Sequence, residues 1–289
     1  MATSGTVALV TDSTAHLLPE VEKEHDVVVV PLQVVIDDAS YDEGSAEATP
    51  DRIAAALREK RAVSTSRPAP AVFSEIYARL ADEGATEIVS IHLSAEVSGT
   101  FESALVASRT APVPVTCVDT RQVGVATGYA VEAAAAVLGA GGSAAEAAAA
   151  ARARSEACTS VFYVDSLDYL RRGGRIGAAA ALLGGALAVK PLLGIVDGVV
   201  APREKVRTSA KAMARLEAIA REAAGDQQVE VTVAHLDAPE RAGALTERIA
   251  EALADQLADR DVRVVEIGAV LGAHVGPGML AICVAPLPA

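Results

Sequence analysis

Ser94, Ser98 and Thr100, gathered with Gly99 in the stretch Ser94-Ala-Glu-Val-Ser98-Gly99-Thr100, are the residues of this chain best suited by type and spacing to hold a ligand. The apolar run Ile88–Leu93 before them reads as a buried parallel strand, and residues 101–109 after them read as a helix. A strand-to-helix loop of hydroxyls and a glycine suits an anion. The helix N-terminus offers unpaired N–H groups and the positive end of its dipole. The hydroxyls add donors, and Gly99 admits a ligand close to the backbone. A second hydroxyl cluster, Ser64-Thr65-Ser66, reads as a loop between an expected helix and Pro68. Neither loop carries a lysine for triphosphate chemistry.

The other chemistries that such residues suggest find less support. Helix capping needs one hydroxyl, and the 94–100 loop supplies three. A nucleophilic serine lacks a Gly-x-Ser-x-Gly elbow and a histidine tied to it by spacing. The five histidines form no metal-binding pair, and Asp12 and Asp119 alone are too few carboxylates, so no metal is expected. Asp12-Ser13-Thr14 reads as a turn and N-cap. His274, among Gly272, Gly276 and Gly278, reads as part of a bent loop. In Arg171-Arg172-Gly173-Gly174-Arg175 the first two arginines complement a helix C-terminus, which leaves Arg175 for a ligand or partner. No Walker loop or dinucleotide fingerprint occurs.

The elements that must position these residues follow from hydrophobic periodicity. Strands are expected at 6–11, 27–36, 88–93 and 113–118. Helices are expected from Thr49-Pro50-Asp51, over 71–80, over 123–138, and from the capping box Ser143-Ala-Ala-Glu146 to about residue 157. This alternation predicts a three-layer α/β/α parallel sheet. Its ligands should sit beyond the carboxyl ends of the strands, where the turns at Asp12, Thr65, Ser94 and Asp119 are expected to gather. The pattern changes near residue 159. A strand at 159–164 and a short helix to Arg172 precede runs 189–196 and 199–206, which flank the hairpin signal Asp197-Gly198. A helix at 208–223, strands at 229–236 and 262–267 around a helix at 239–257, and a last strand at 279–285 complete a two-layer α/β mixed sheet. The expected domains are 1–158, holding the carboxylate loops, and 159–289, covering the ligand.

Composition narrows the function. Hydrophobic residues make up 51% of 289, enough for a sizeable core, and aromatics only 3%. No apolar run is long enough to span a membrane, 178–189 being the nearest, and no basic n-region marks a signal peptide. Three well-separated cysteines fit free thiols in a reducing cytoplasm. A net charge of −13 argues against nucleic acid. Against it, residues 171–215 carry nine basic and two acidic residues, a solvated face or a docking patch for an acidic partner or anionic surface.

Taken in order, Thr11-Asp12-Ser13-Thr14, Ser64-Thr65-Ser66-Arg67-Pro68, Ser94 to Ala104, Asp119-Thr120, Leu167 to Ile176, Lys190-Pro191-Leu192-Leu193 and His274-Val-Gly276-Pro277-Gly278 resemble the DegV family, including the fatty-acid-binding subunits of bacterial fatty acid kinase. The resemblance runs nearly end to end. It implies two α/β domains with a long-chain fatty acid between them and no cofactor. The carboxylate ligands it implies are Thr65, Ser66, Ser94 and Ser98, with Gly99 and Thr100 in the same loop and Arg175 and His274 nearby. It further implies a non-enzymatic subunit of phospholipid metabolism whose bound carboxylate is phosphorylated by a separate ATP-binding kinase subunit. Arg172, Lys205 and Arg207 match positions that dock that partner or make transient membrane contact. Arg67 and Ala69 depart from the family's usual Gln and Ser. Two alternatives stand beside this reading: a serine-dependent acyl hydrolase, and a carrier of another lipid or small carboxylate.

Overall fold

The computed structural model describes residues 6–182 and 190–287, so the expectations for the N-terminal segment and for 183–189 lie outside the described residues. The chain packs as two units. One comprises Met1–Gln33 and Ser66–Glu156, the other Val34–Thr65 and Ala157–Ala289. The expected single boundary after residue 158 therefore differs from the observed grouping, because 34–65 associates with the C-terminal part of the chain. The reason is packing. The helix Pro50–Arg58 lies against the helix Ala269–Val275, and Gln33–Ile36 pairs within a separate three-stranded sheet with Ala39–Asp42 and Val63–Ser66.

The first unit is a four-stranded parallel sheet in the order Val28–Val30, Thr6–Asp12, Ala85–His92, Val115–Asp119. Its strands are β-branched and buried on both faces, as a parallel sheet demands. Leu9, Val89, Ile91 and Val118 meet the helices Val125–Gly139 and Ala144–Ala157. Val10, Val30 and Ile88 meet the helices Pro70–Asp82 and Thr100–Ser108. This is the expected three-layer α/β/α arrangement. The alanines of 125–157 pack their small side chains directly on the sheet, which explains a stretch low in complexity yet ordered.

The second unit holds a mixed sheet in the order Val199–Val206, Lys190–Val196, Thr159–Tyr163, Leu280–Pro286, Val229–His235, Arg263–Glu266. Alternate residues Val161 and Tyr163, Val229, Val231 and Val233, and Leu280, Ile282 and Val284 bury one face under the helices Ser209–Ala224 and Pro239–Ala252. Asp197 (φ 52°) and Gly198 (φ 84°) both take the left-handed conformation that a tight hairpin turn requires. Among the described residues no helix is long and apolar enough to cross a membrane.

Three expectations change. The run 27–36 is two strands in different sheets, split where Pro31 lacks the N–H that a continuous ladder needs. Ser64-Thr65-Ser66 is not a loop but most of the strand Val63–Ser66. His274 is not in a loop either: it lies in the last turn of the helix Ala269–Val275, and the turn at Gly276 (φ 76°) follows that helix.

Candidate functional site

At the carboxyl edge of the parallel sheet the register sets Asp12, His92 and Asp119 at neighbouring strand ends. The turn after Asp12 is the expected Asx turn, with Thr14 N–H and Oγ1 donating to Oδ1 at 3.2 and 2.6 Å. The loop after His92 carries Ser94, which is fully buried. Its Oγ accepts the Glu96 N–H at 3.2 Å, and its carbonyl accepts the N–H groups of Val97 and Ser98. Ser98 Oγ accepts the Thr100 N–H at 3.3 Å and lies 2.9 Å from Thr100 Oγ1, so these two hydroxyls share one hydrogen bond and keep one hydrogen to donate. The helix Thr100–Ser108 begins there. Arg67, whose role the sequence left open, lays its exposed guanidinium across Gly99 and brings a cation to the loop. Ser66 is in this unit and donates to Gln33 Oε1 at 3.2 Å. The loop, its helix start and a cation thus surround fixed hydroxyl donors, an arrangement suited to an anionic oxygen.

Thr65 belongs to the second unit, so it does not join the turns at Asp12, Ser94 and Asp119 in one sheet. The boundary between units falls inside its strand. Thr65 Oγ1 instead meets His274 Nε2 at 2.9 Å. Burial, and secondarily the charge of Arg175, lowers His274 to about 4, so the ring is neutral at pH 7. Its other nitrogen, Nδ1, is buried without a hydrogen-bond partner among the described residues. It faces Gly173, where any Cβ would collide with it. An unpartnered buried N–H is worse tolerated than an unpartnered lone pair, so the favoured tautomer carries its hydrogen on Nε2. That hydrogen bonds to Thr65 and leaves the threonine O–H free to donate outward. Arg175 Nη1 donates to the Gly173 carbonyl at 2.7 Å, which ties the arginine to the same turn.

Of the docking residues expected from the sequence, Arg172 is exposed beside a cleft of about 280 Å³ lined also by Ser64, Tyr169 and Ala273. Lys205 and Arg207 are exposed at alternate positions along and just past Val199–Val206, an edge strand of the mixed sheet. Part of the basic segment is internally neutralised: Arg171 pairs with Asp168, Lys190 with Asp165 and Arg215 with Glu204.

Sequence reasoning missed one group of residues. A buried row runs from Tyr77 OH to Ser90 Oγ (2.8 Å), to His92 Nε2 (2.7 Å), and from His92 Nδ1 to Asp12 Oδ2 (3.0 Å). Ser90 and His92 stand two apart on one strand, so they share a face. That spacing, beside a strand ending in aspartate, was the available signal. The row has the order of a hydrolytic triad, but Ser90, His92 and Asp12 are all fully buried, and Ser90 already receives the tyrosine hydroxyl. A nucleophile must reach its substrate, and Ser90 does not. Among the described residues no cluster of three metal-binding side chains occurs.

The sequence profile of DegV, described as an uncharacterised protein family, matches residues 6–287. This chain belongs to the DegV family. A DegV domain-containing protein of Streptomyces coelicolor is 52% identical over 283 residues, covering 96% of this chain and 98% of that one. The fold is also that of DegV proteins of known structure. A Thermus thermophilus DegV family protein described for its fatty acid binding superposes with a TM-score of 0.90, at 34% identity, over 98% of this chain and 100% of its own. DegV of Bacillus subtilis, a fatty acid binding protein, gives 0.88 at 30% identity, with the same coverage of both chains.

Proposed function

We propose that this DegV protein is a fatty-acid carrier that holds a long-chain fatty acid and presents its carboxylate to a separate ATP-binding kinase subunit. The observation that carries the reading is its likeness to DegV proteins that bind fatty acids, at 34% and 30% identity over nearly the whole chain. Thr65, Ser66, Ser94 and Ser98 hold the carboxylate in this reading, with Gly99 and Thr100 in the same loop and Arg175 and His274 in support. Lys205, Arg207 and Arg172 dock the kinase or make transient contact with an anionic membrane surface. The chain itself carries out no chemistry and acts in the cytoplasm.

The energetics suit such a ligand. Burying about 15 methylenes at about 0.8 kcal/mol each contributes roughly 12 kcal/mol before the cost of ordering the chain. The hydroxyls therefore serve to orient the acid and to offset desolvation of its charge. Organic extraction of the purified protein followed by mass spectrometry tests the reading. A co-purifying or added fatty acid is the expected result; no lipid before or after addition overturns it. The same extraction identifies any other lipid or small carboxylate. Turnover of an acyl ester by the chain alone, abolished by Ser94→Ala, would establish the hydrolase instead.

A further inference from the structure

Three consecutive backbone amides around Ser94 are held by two separate segments of the first unit, the end of the strand Thr6–Asp12 and the 119–122 turn. Leu93 N–H donates to Asp12 Oδ2 at 3.1 Å, Ser94 N–H to the Gln122 carbonyl at 2.8 Å, and Ala95 N–H to Asp119 Oδ1 at 3.3 Å. The carbonyl of His92, just upstream, accepts both the N–H and the hydroxyl of Thr120. A capping turn needs none of this. Asp12 could close its own turn through Thr14 alone, yet its second oxygen reaches His92 and Leu93, eighty and eighty-one residues away.

The carboxylate of Asp12 is fully buried, and among the described residues it accepts four hydrogen bonds: two from Thr14, one from His92 and one from Leu93. The row behind it fixes the direction of every proton. Tyr77 donates to Ser90, which leaves the Ser90 hydrogen for His92 Nε2; His92 Nδ1–H then points at Asp12. Phe73 packs edge-on against the imidazole, 5.2 Å between ring centroids. A buried polar row satisfied at every member is rigid, because turning any one group leaves the others unpaired.

We propose that Asp12, oriented by the Tyr77–Ser90–His92 row, and Asp119 are positioning residues for Ser94. They hold the 93–95 backbone in its binding geometry before any ligand arrives, so the ordering cost that a loose loop would impose on head-group recognition is avoided. The inference rests on the carboxylate role proposed for Ser94, and the experiment separates the two.

Asp12→Asn keeps the shape of the side chain but turns one acceptor arm into a donor that faces another donor. The dissociation constants of a long-chain fatty acid and of the alcohol of the same chain length are measured for wild type and variant by competition. A positioning role predicts that the acid binds about tenfold weaker or worse, while the alcohol, which shares the chain but not the charge, changes far less. Equal loss for both ligands, or loss for neither, overturns the inference and leaves the carrier reading standing. A wild-type protein that binds no fatty acid overturns that reading itself. Should Asp12→Asn fail to fold, Asp119→Asn decides by the same acid-to-alcohol comparison, because it releases Ala95 without touching the buried row.

Discussion

Thr65 and Ser94 are prepared as donors in different ways. Thr65 is oriented by one neutral imidazole across a 2.9 Å bond, whereas Ser94 is held through its backbone and a local turn. Combined Ser94→Ala and Thr65→Ala substitution is therefore expected to weaken fatty-acid binding by about tenfold or more, the worth of a hydrogen bond to a charged group. Thermal unfolding should change little beyond the loss of the His274 partner. Titration with a fluorescent fatty acid checks the first outcome and circular dichroism the second; unchanged affinity would refute the head-group assignment. The hydroxyls themselves were legible in the sequence because glycine and three hydroxyls crowd one strand-to-helix junction. The Tyr77–Ser90–His92–Asp12 row was not, because its members are scattered over eighty residues and only strand register makes Asp12 and His92 neighbours.

Elements were read best where a local rule decides them. Ser143 and Glu146 form the reciprocal capping box, with Ser143 N–H to Glu146 Oε2 at 2.8 Å and Glu146 N–H to Ser143 Oγ at 3.3 Å. Thr208 caps the helix Ser209–Ala224 through the Lys211 N–H at 3.2 Å. Thr208→Ala is expected to cost about 1 kcal/mol, readable as a lower denaturation midpoint at unchanged slope, while Thr208→Asn restores it. Elements were misread where tertiary pairing decides. Ser64–Ser66 has the composition of a loop and becomes strand because Gln33–Ile36 is there to pair with it. Residues 269–275 contain a glycine and are flanked by two more yet are helical, with Gly272 packed against Leu236 and Ile53.

At the scale of the molecule, charge and protonation govern behaviour. Burial lowers His16 and His274 from 6.5 to about 4 and lowers His235 as well. Above pH 6.5 folded and unfolded states are both neutral at these sites. Between 6.5 and 4 the unfolded chain takes up protons that the folded chain refuses, so stability falls with falling pH and levels off below about 4. Each unit of depression is worth about 1.4 kcal/mol. Melting temperatures across that window should drop accordingly, and His274→Gln should flatten the slope. Charge reversal at the exposed Lys205 and Arg207 is expected to slow acyl-phosphate formation with a kinase partner about tenfold, and more at low salt, without altering fatty-acid affinity; an unaffected rate removes the docking role. The two sheet types, the caps and hairpin, the hydroxyl loop and the family are legible without coordinates, because each is written in local periodicity or in motif order. The grouping of 34–65 with the C-terminal unit, the place of Thr65 in a strand and its bond to His274, and the bond from the Leu93 N–H to Asp12 came from the fold alone. Those facts depend on which distant segments pack together, and no local pattern encodes that.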